Sequence, residues 1–226
     1  MSDFSFYFKI GWEHIINKDA LDHIFFIAAL AAIYLLKDWR QVLILITAFT
    51  IGHTITLILS TTELIEVDSS LVEFLIPCTI VFTAIANLFQ TTVTARAIRV
   101  NYFLALFFGL IHGLAFANTL RMIIASDQNF ALSMFSFSVG LELGQVLIVF
   151  VMLLLAEVFI HLLGAARRDW VVFISAVVFG LALEMAIERW PWKGRHGRDA
   201  TRIERIDGTP ETMTDPAKPE TFIFIG

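Results

Sequence analysis

Charge is scarce in this sequence, and cysteine is nearly absent. Asp, Glu, Lys and Arg make up 16% of the 226 residues, hydrophobic residues make up 58%, and Cys78 is the single cysteine. Soluble domains carry about 25% charge and about 45–50% apolar residues. A water-soluble globule of this composition would expose large apolar patches and aggregate, so that class is excluded. One cysteine excludes an intrachain disulfide and gives no signal of redox compartment. The first 16 residues lack a basic segment ahead of an apolar one, so no cleavable signal peptide is expected. No basic stripe points to a nucleic-acid partner, because the charges sit in short loops, the first 20 residues and the end of the chain.

What the sequence does have is long apolar runs. Mean hydropathy is +0.77, and phenylalanine alone occurs 22 times. A helix crossing a bilayer needs about 20 mostly apolar residues. Six stretches qualify: Leu21–Leu36, Gln41–Ser60, Leu71–Gln90, Tyr102–Ala125, Ala131–Leu163 and Trp170–Ile187. The expected fold is an all-α membrane protein, a bundle of about six transmembrane helices over residues 21–190. An aromatic N-terminal segment, residues 1–20, would lie at headgroup depth through Phe4, Phe6, Tyr7, Phe8 and Trp12. After Trp190-Pro191-Trp192 the composition turns polar, and residues 191–226 read as a flexible tail. Lys37, Arg40, Arg96, Arg99, Arg167 and Arg168 fall in the loops after the first, third and fifth stretches. Basic loops stay in the cytoplasm, so both termini are expected outside it, although Arg189, Lys193, Arg195 and Arg198 pull the other way.

Polar side chains inside such stretches cost about 2.5–3.5 kcal/mol or more at the bilayer centre, so each needs a reason. Asp22 and His23 open the first stretch. Thr50, His53 and Thr54 share a face of the second by their helical spacing. Asn87 lies deep in the third, and His112 is central in the fourth between Gly109 and Gly113. Ser138, Glu142 and Gln145 line the fifth. With a rise of about 1.5 Å per residue, His53 lies roughly 10 Å, and Glu142 roughly 15 Å, below the same end of the bundle. Imidazole with carboxylate is a ligand set for zinc, nickel or cobalt. The candidate metal ligands are His23, His53, His112, Asp22 and Glu142, with His14, Glu13, Thr50, Thr54, Gln145 and Asn87 as possible additions. Blander roles compete. The threonines can bond their own helix carbonyls, Asn87 can join helices, and Gly109 with Gly113 suits close helix packing.

These residues also carry a family resemblance. Gly11-Trp12-Glu13-His14-Ile15, Leu21-Asp22-His23-Ile24-Phe25, Phe49-Thr50-Ile51-Gly52-His53-Thr54, Gly109-Leu110-Ile111-His112-Gly113 and Gly140-Leu141-Glu142-Leu143-Gly144-Gln145 resemble, in order, the successive signatures of the HupE/UreJ membrane proteins. The resemblance implies a small polytopic protein of a bacterial inner membrane associated with nickel handling, and some members are regarded as nickel or cobalt permeases. It maps a His…Asp-His element onto His14, Asp22 and His23. Here the spacer is longer, the glycine before Asp-His is missing, and Thr54 replaces a common serine.

The expected function is therefore a divalent transition-metal permease, most plausibly for nickel, with an intramembrane histidine and carboxylate site. Its expected partners are the lipid bilayer, the ion and a second copy or another membrane protein. Two rivals remain. One is an intramembrane zinc hydrolase, similar in ligand set to the ceramidase and adiponectin-receptor group. The other is a metal-free structural subunit whose polar residues only pack helices.

Overall fold

The computed structural model describes residues 3–17, 20–65, 67–89, 95–124 and 129–191. The expected tail lies outside them from Trp192 onward. The described residues form seven α-helices: α1 (Asp3–Ile16), α2 (Leu21–Ala31), α3 (Trp39–Thr61), α4 (Ser69–Phe89), α5 (Ala95–Ile124), α6 (Phe130–Glu157) and α7 (Arg167–Glu188). A short 3-10 turn, Leu36–Asp38, leads into α3, and a π-helical turn, Val158–Leu162, prolongs α6. Five helices, α3 to α7, contain segments long and apolar enough to cross a membrane. The chain is an all-α membrane protein.

The first expected crossing takes a different form. Its helix stops at Ala31, and 11 residues at about 1.5 Å each give only about 16 Å, half of the roughly 30 Å hydrocarbon core. Beyond it the chain turns. Tyr34 is fully buried, and its amide donates to the Ala31 carbonyl. The Asp38 carboxylate accepts the Leu35 amide, and Arg167 donates to the Ile33 carbonyl. An apolar run does not separate helix from buried turn, so the hydropathy signal continues past the end of the helix.

The missing length is supplied by α1. This segment, expected at the interface, is a 14-residue helix packed directly on α6. Gly11 lies against the backbone carbonyl of Phe137, Gly140 lies against that of Phe8, and Gly144 touches Ile15. The two helices therefore run parallel, with α1 along the first half of α6. The chain after α2 meets the start of α7, where Arg167 donates to the Ile33 carbonyl, and the Leu36–Asp38 turn packs on α6. α1, ending at Ile16, and α2, starting at Leu21, are together long enough for one crossing.

α3 and α5 interlock in the same manner. Gly52 abuts the Leu106 carbonyl, Gly109 that of Phe49, and Gly113 that of His53. A Cβ at any of these glycines would meet a neighbouring main chain, so the close approach requires glycine. α6 runs antiparallel to α3, tied to it by a ladder of side-chain hydrogen bonds. Thr54 and Ser138 pair at 2.8 Å, Thr50 donates to Gln145 at 3.0 Å, and Thr47 donates to Glu142 at 2.6 Å. α4 and α7 pack together as a third pair, with the Phe74 and Trp190 rings 5.1 Å apart. One end of the bundle carries Glu63 and Asp68, with Arg121 at the end of α5 bonded to Glu63 at 2.6 Å. The other end carries Lys37, Arg40, Arg167 and Arg168. These are called the acidic and basic ends below.

Candidate metal centre

The interruption between α1 and α2 and the close pairing of α3 with α5 bring four histidines together. His14 comes from the last turn of α1, His23 from the first turn of α2, His53 from α3 beside Gly52, and His112 from α5 between two glycines. The glycines matter because they let two backbones approach closely enough for short imidazoles to meet across the gap. One ligand nitrogen each from His14, His23 and His53 lies within 4.8 Å of the others. The His112 ring stands 5.1 Å from that of His23. His53 and His112 have no exposed surface, and His23 has 4%.

Hydrogen bonding fixes how the rings are presented. His23 Nδ1 lies 3.0 Å from Asp22 Oδ1, which also accepts the His23 amide at 2.8 Å. His112 Nδ1 lies 2.8 Å from the Phe108 carbonyl. A carboxylate and a carbonyl only accept, so in both rings Nδ1 carries the proton and Nε2 presents a lone pair. The Nε2 atoms of His14, His23 and His112 and both ring nitrogens of His53 are buried with no hydrogen-bond partner among the described residues. A buried polar atom without a partner costs about 1–3 kcal/mol, and here five lie on four neighbouring rings. Around a tetrahedral ion with bonds of about 2.1 Å, imidazole nitrogens stand about 3.4 Å apart. The three rings are thus within about 1.4 Å of that spacing, a closure that side-chain rotation can supply.

The surroundings differ on the two sides of the cluster. Toward the acidic end lies a cavity of about 520 Å³ whose wall includes His14, Asp22 and His23. Its rim carries the exposed residues Glu13, Asn17 and Thr119. On the opposite side, the buried rings of Phe26, Phe49 and Phe108 form a floor. The centroids of Phe26 and Phe49 are 5.0 Å apart and those of Phe26 and Phe108 5.8 Å apart, and His112 lies 5.1 Å from Phe49. Beneath the floor is a water-sized cavity of about 20 Å³ beside Thr83, Asn87 and Asn101.

The residues singled out by sequence separate into groups. His23, His53 and His112 converge, and His14, held only as an addition, belongs with them. Asp22 is at the cluster but turns its carboxylate to His23 and, at 3.4 Å, to Arg189. Its place is behind the imidazole, orienting it. Glu142 is set apart. Its carboxylate accepts from Thr47, six residues before His53, which is about 9 Å nearer the basic end. Thr50, Thr54 and Gln145 belong to the α3–α6 ladder, and Asn87 donates to the Ala29 carbonyl at 2.6 Å. Glu13 sits on the cavity rim near Lys9, 3.6 Å away. The sequence reading missed Arg189 and the phenylalanine floor. A buried carboxylate demands a cationic partner, which is the signal for Arg189, but their separation along the chain hides the pairing.

A family model described as HupE / UreJ protein matches residues 1–189. No curated protein and no solved structure matches the chain. The match spans every described helix, and the chain belongs to the HupE/UreJ family.

Proposed function

We propose that this HupE/UreJ family member is a permease for a divalent transition metal, nickel in the first place, and that His14, His23 and His53 share the ion, with His112 as a fourth donor. The observation that carries this reading is the convergence of buried imidazole nitrogens without hydrogen-bond partners at the end of an open cavity. Neutral imidazoles favour nickel, cobalt and zinc over the hard ions magnesium and calcium. Asp22 supplies negative charge that lowers the cost of a dication in a low-dielectric site. The cavity admits the ion from the acidic end. Passage onward requires the phenylalanine floor to part, and beyond it the polar groups of Asn87, Asn101 and Thr83 receive the ion. With the basic loops in the cytoplasm of a bacterial inner membrane, this direction is import.

The test is uptake of nickel and zinc into proteoliposomes, paired with metal analysis of the purified protein. Wild type takes up nickel, and His53→Ala or His23→Ala lowers uptake at least tenfold while the protein stays monodisperse in detergent. Tight stoichiometric zinc without uptake assigns the site to a hydrolase instead, and no bound metal in wild type leaves only a structural subunit.

A further inference from the structure

Among the described residues, Asp22 is the acid bonded to the cluster, and its two oxygens are divided. Oδ1 holds His23, and Oδ2 faces Arg189 Nη1 at 3.4 Å. The two residues stand 167 positions apart. Asp22 is almost enclosed, at 11% side-chain exposure, whereas Arg189 at 31% keeps a route to water from the end of α7. Glu13 lies out on the cavity rim with Lys9 nearby. Without an ion, the guanidinium balances the Asp22 charge. With a dication on the imidazoles, the same guanidinium becomes a like charge on the far side of Asp22, in a poorly screening site where repulsion is far stronger than in water.

We infer that Arg189 is a resident counter-ion that competes with the metal for Asp22: the arriving ion drives the guanidinium toward water, and its return weakens the site and helps release the ion. This rests on the permease reading above. It makes Arg189 a positioning residue that sets affinity and turnover without touching the ion. Such competition suits a carrier, because a site that binds without trapping needs a built-in way to loosen. A purely structural ion pair gives the opposite expectation, since removing Arg189 would then misplace Asp22 and His23 and weaken binding.

The experiment measures nickel affinity by isothermal titration of the full-length protein in detergent, with nickel efflux from preloaded proteoliposomes as a second readout. Arg189→Gln is expected to bind nickel about tenfold more tightly, a change of about 1.4 kcal/mol, and to release it more slowly, while Arg189→Lys stays near wild type. Equal or weaker binding by Arg189→Gln overturns the inference. A measurement on the unmutated protein guards against a variant that fails to fold. Phenylglyoxal modification of Arg189, read by mass spectrometry, is expected to speed up when nickel is added, and unchanged or reduced reactivity overturns the proposal. If wild type binds no metal, the permease reading itself fails. If wild type binds nickel and Arg189 responds to neither test, only the counter-ion role fails.

Discussion

At the scale of single residues, the division of labour between Asp22 and His23 decides how the cluster behaves. The carboxylate accepts the hydrogen bond from His23 Nδ1–H and leaves the Nε2 lone pair to bind an ion. Carboxylates behind ligating histidines typically contribute 10–100-fold in metal affinity. Asp22→Asn keeps an acceptor for the ring but removes the charge, so nickel affinity by isothermal titration is expected to fall by about that range. Asp22→Ala, which also frees the ring to rotate, is expected to fall further. An Asp22→Asn protein that binds as tightly as wild type would mean that its charge plays no part. Much of this was legible in the residues. The Asp22-His23 pair, His53 beside Gly52 and His112 between glycines announce themselves as polar groups in apolar surroundings. What remained hidden was direction. Depth along a helix follows from counting, but which way Glu142 points, and that Arg189 returns to Asp22, depend on packing between distant segments.

At the scale of helices, glycine sets the distances. α1 on α6 and α3 on α5 approach until Gly11, Gly140, Gly52, Gly109 and Gly113 each face a neighbouring main-chain oxygen. Overpacking a close contact typically costs about 1–3 kcal/mol. Gly140→Leu and Gly109→Leu are therefore expected to lower the apparent melting temperature in detergent and to reduce metal binding, because each pushes a histidine-bearing helix away from the cluster. As a control, Gly180→Leu is expected to be mild, since nothing lies within 4 Å of a Cβ there. Equal effects at Gly180 and Gly140 would show that close approach is not what these glycines provide. Apolar length gives six stretches, and five of them are helices long enough to cross. The first, Leu21–Leu36, holds only an 11-residue helix. α1 carries Asp3, Lys9, Glu13 and His14 among its aromatics, and that alternation resembles a surface helix. Lys9 and Glu13 instead face the cavity mouth or water, while Tyr7, Gly11 and Ile15 pack inward. A crossing shared between two short helices has no continuous hydropathy signature. The same arrangement recurs where membrane proteins place ion sites at interruptions in a helix.

At the scale of the whole molecule, the arrangement is asymmetric along the membrane normal. An open cavity leads to the imidazoles from the acidic end, and three phenylalanine rings close the way toward the basic end. On the proposed permease reading, a bundle open on one side and sealed on the other matches one half of an alternating-access cycle. On the proposed reading, α7, paired with α4 and followed by Arg189, would respond to whether the site is filled. The whole account depends on one ion shared by imidazoles from α1, α2 and α3. X-ray absorption at the nickel edge of the loaded protein tests this most directly. The account predicts at least three imidazole nitrogens at roughly the 2.0–2.1 Å such ligands take around zinc, with that signal lost in His14→Ala/His53→Ala. A first shell made only of oxygen atoms, or a spectrum indifferent to that double substitution, would contradict it.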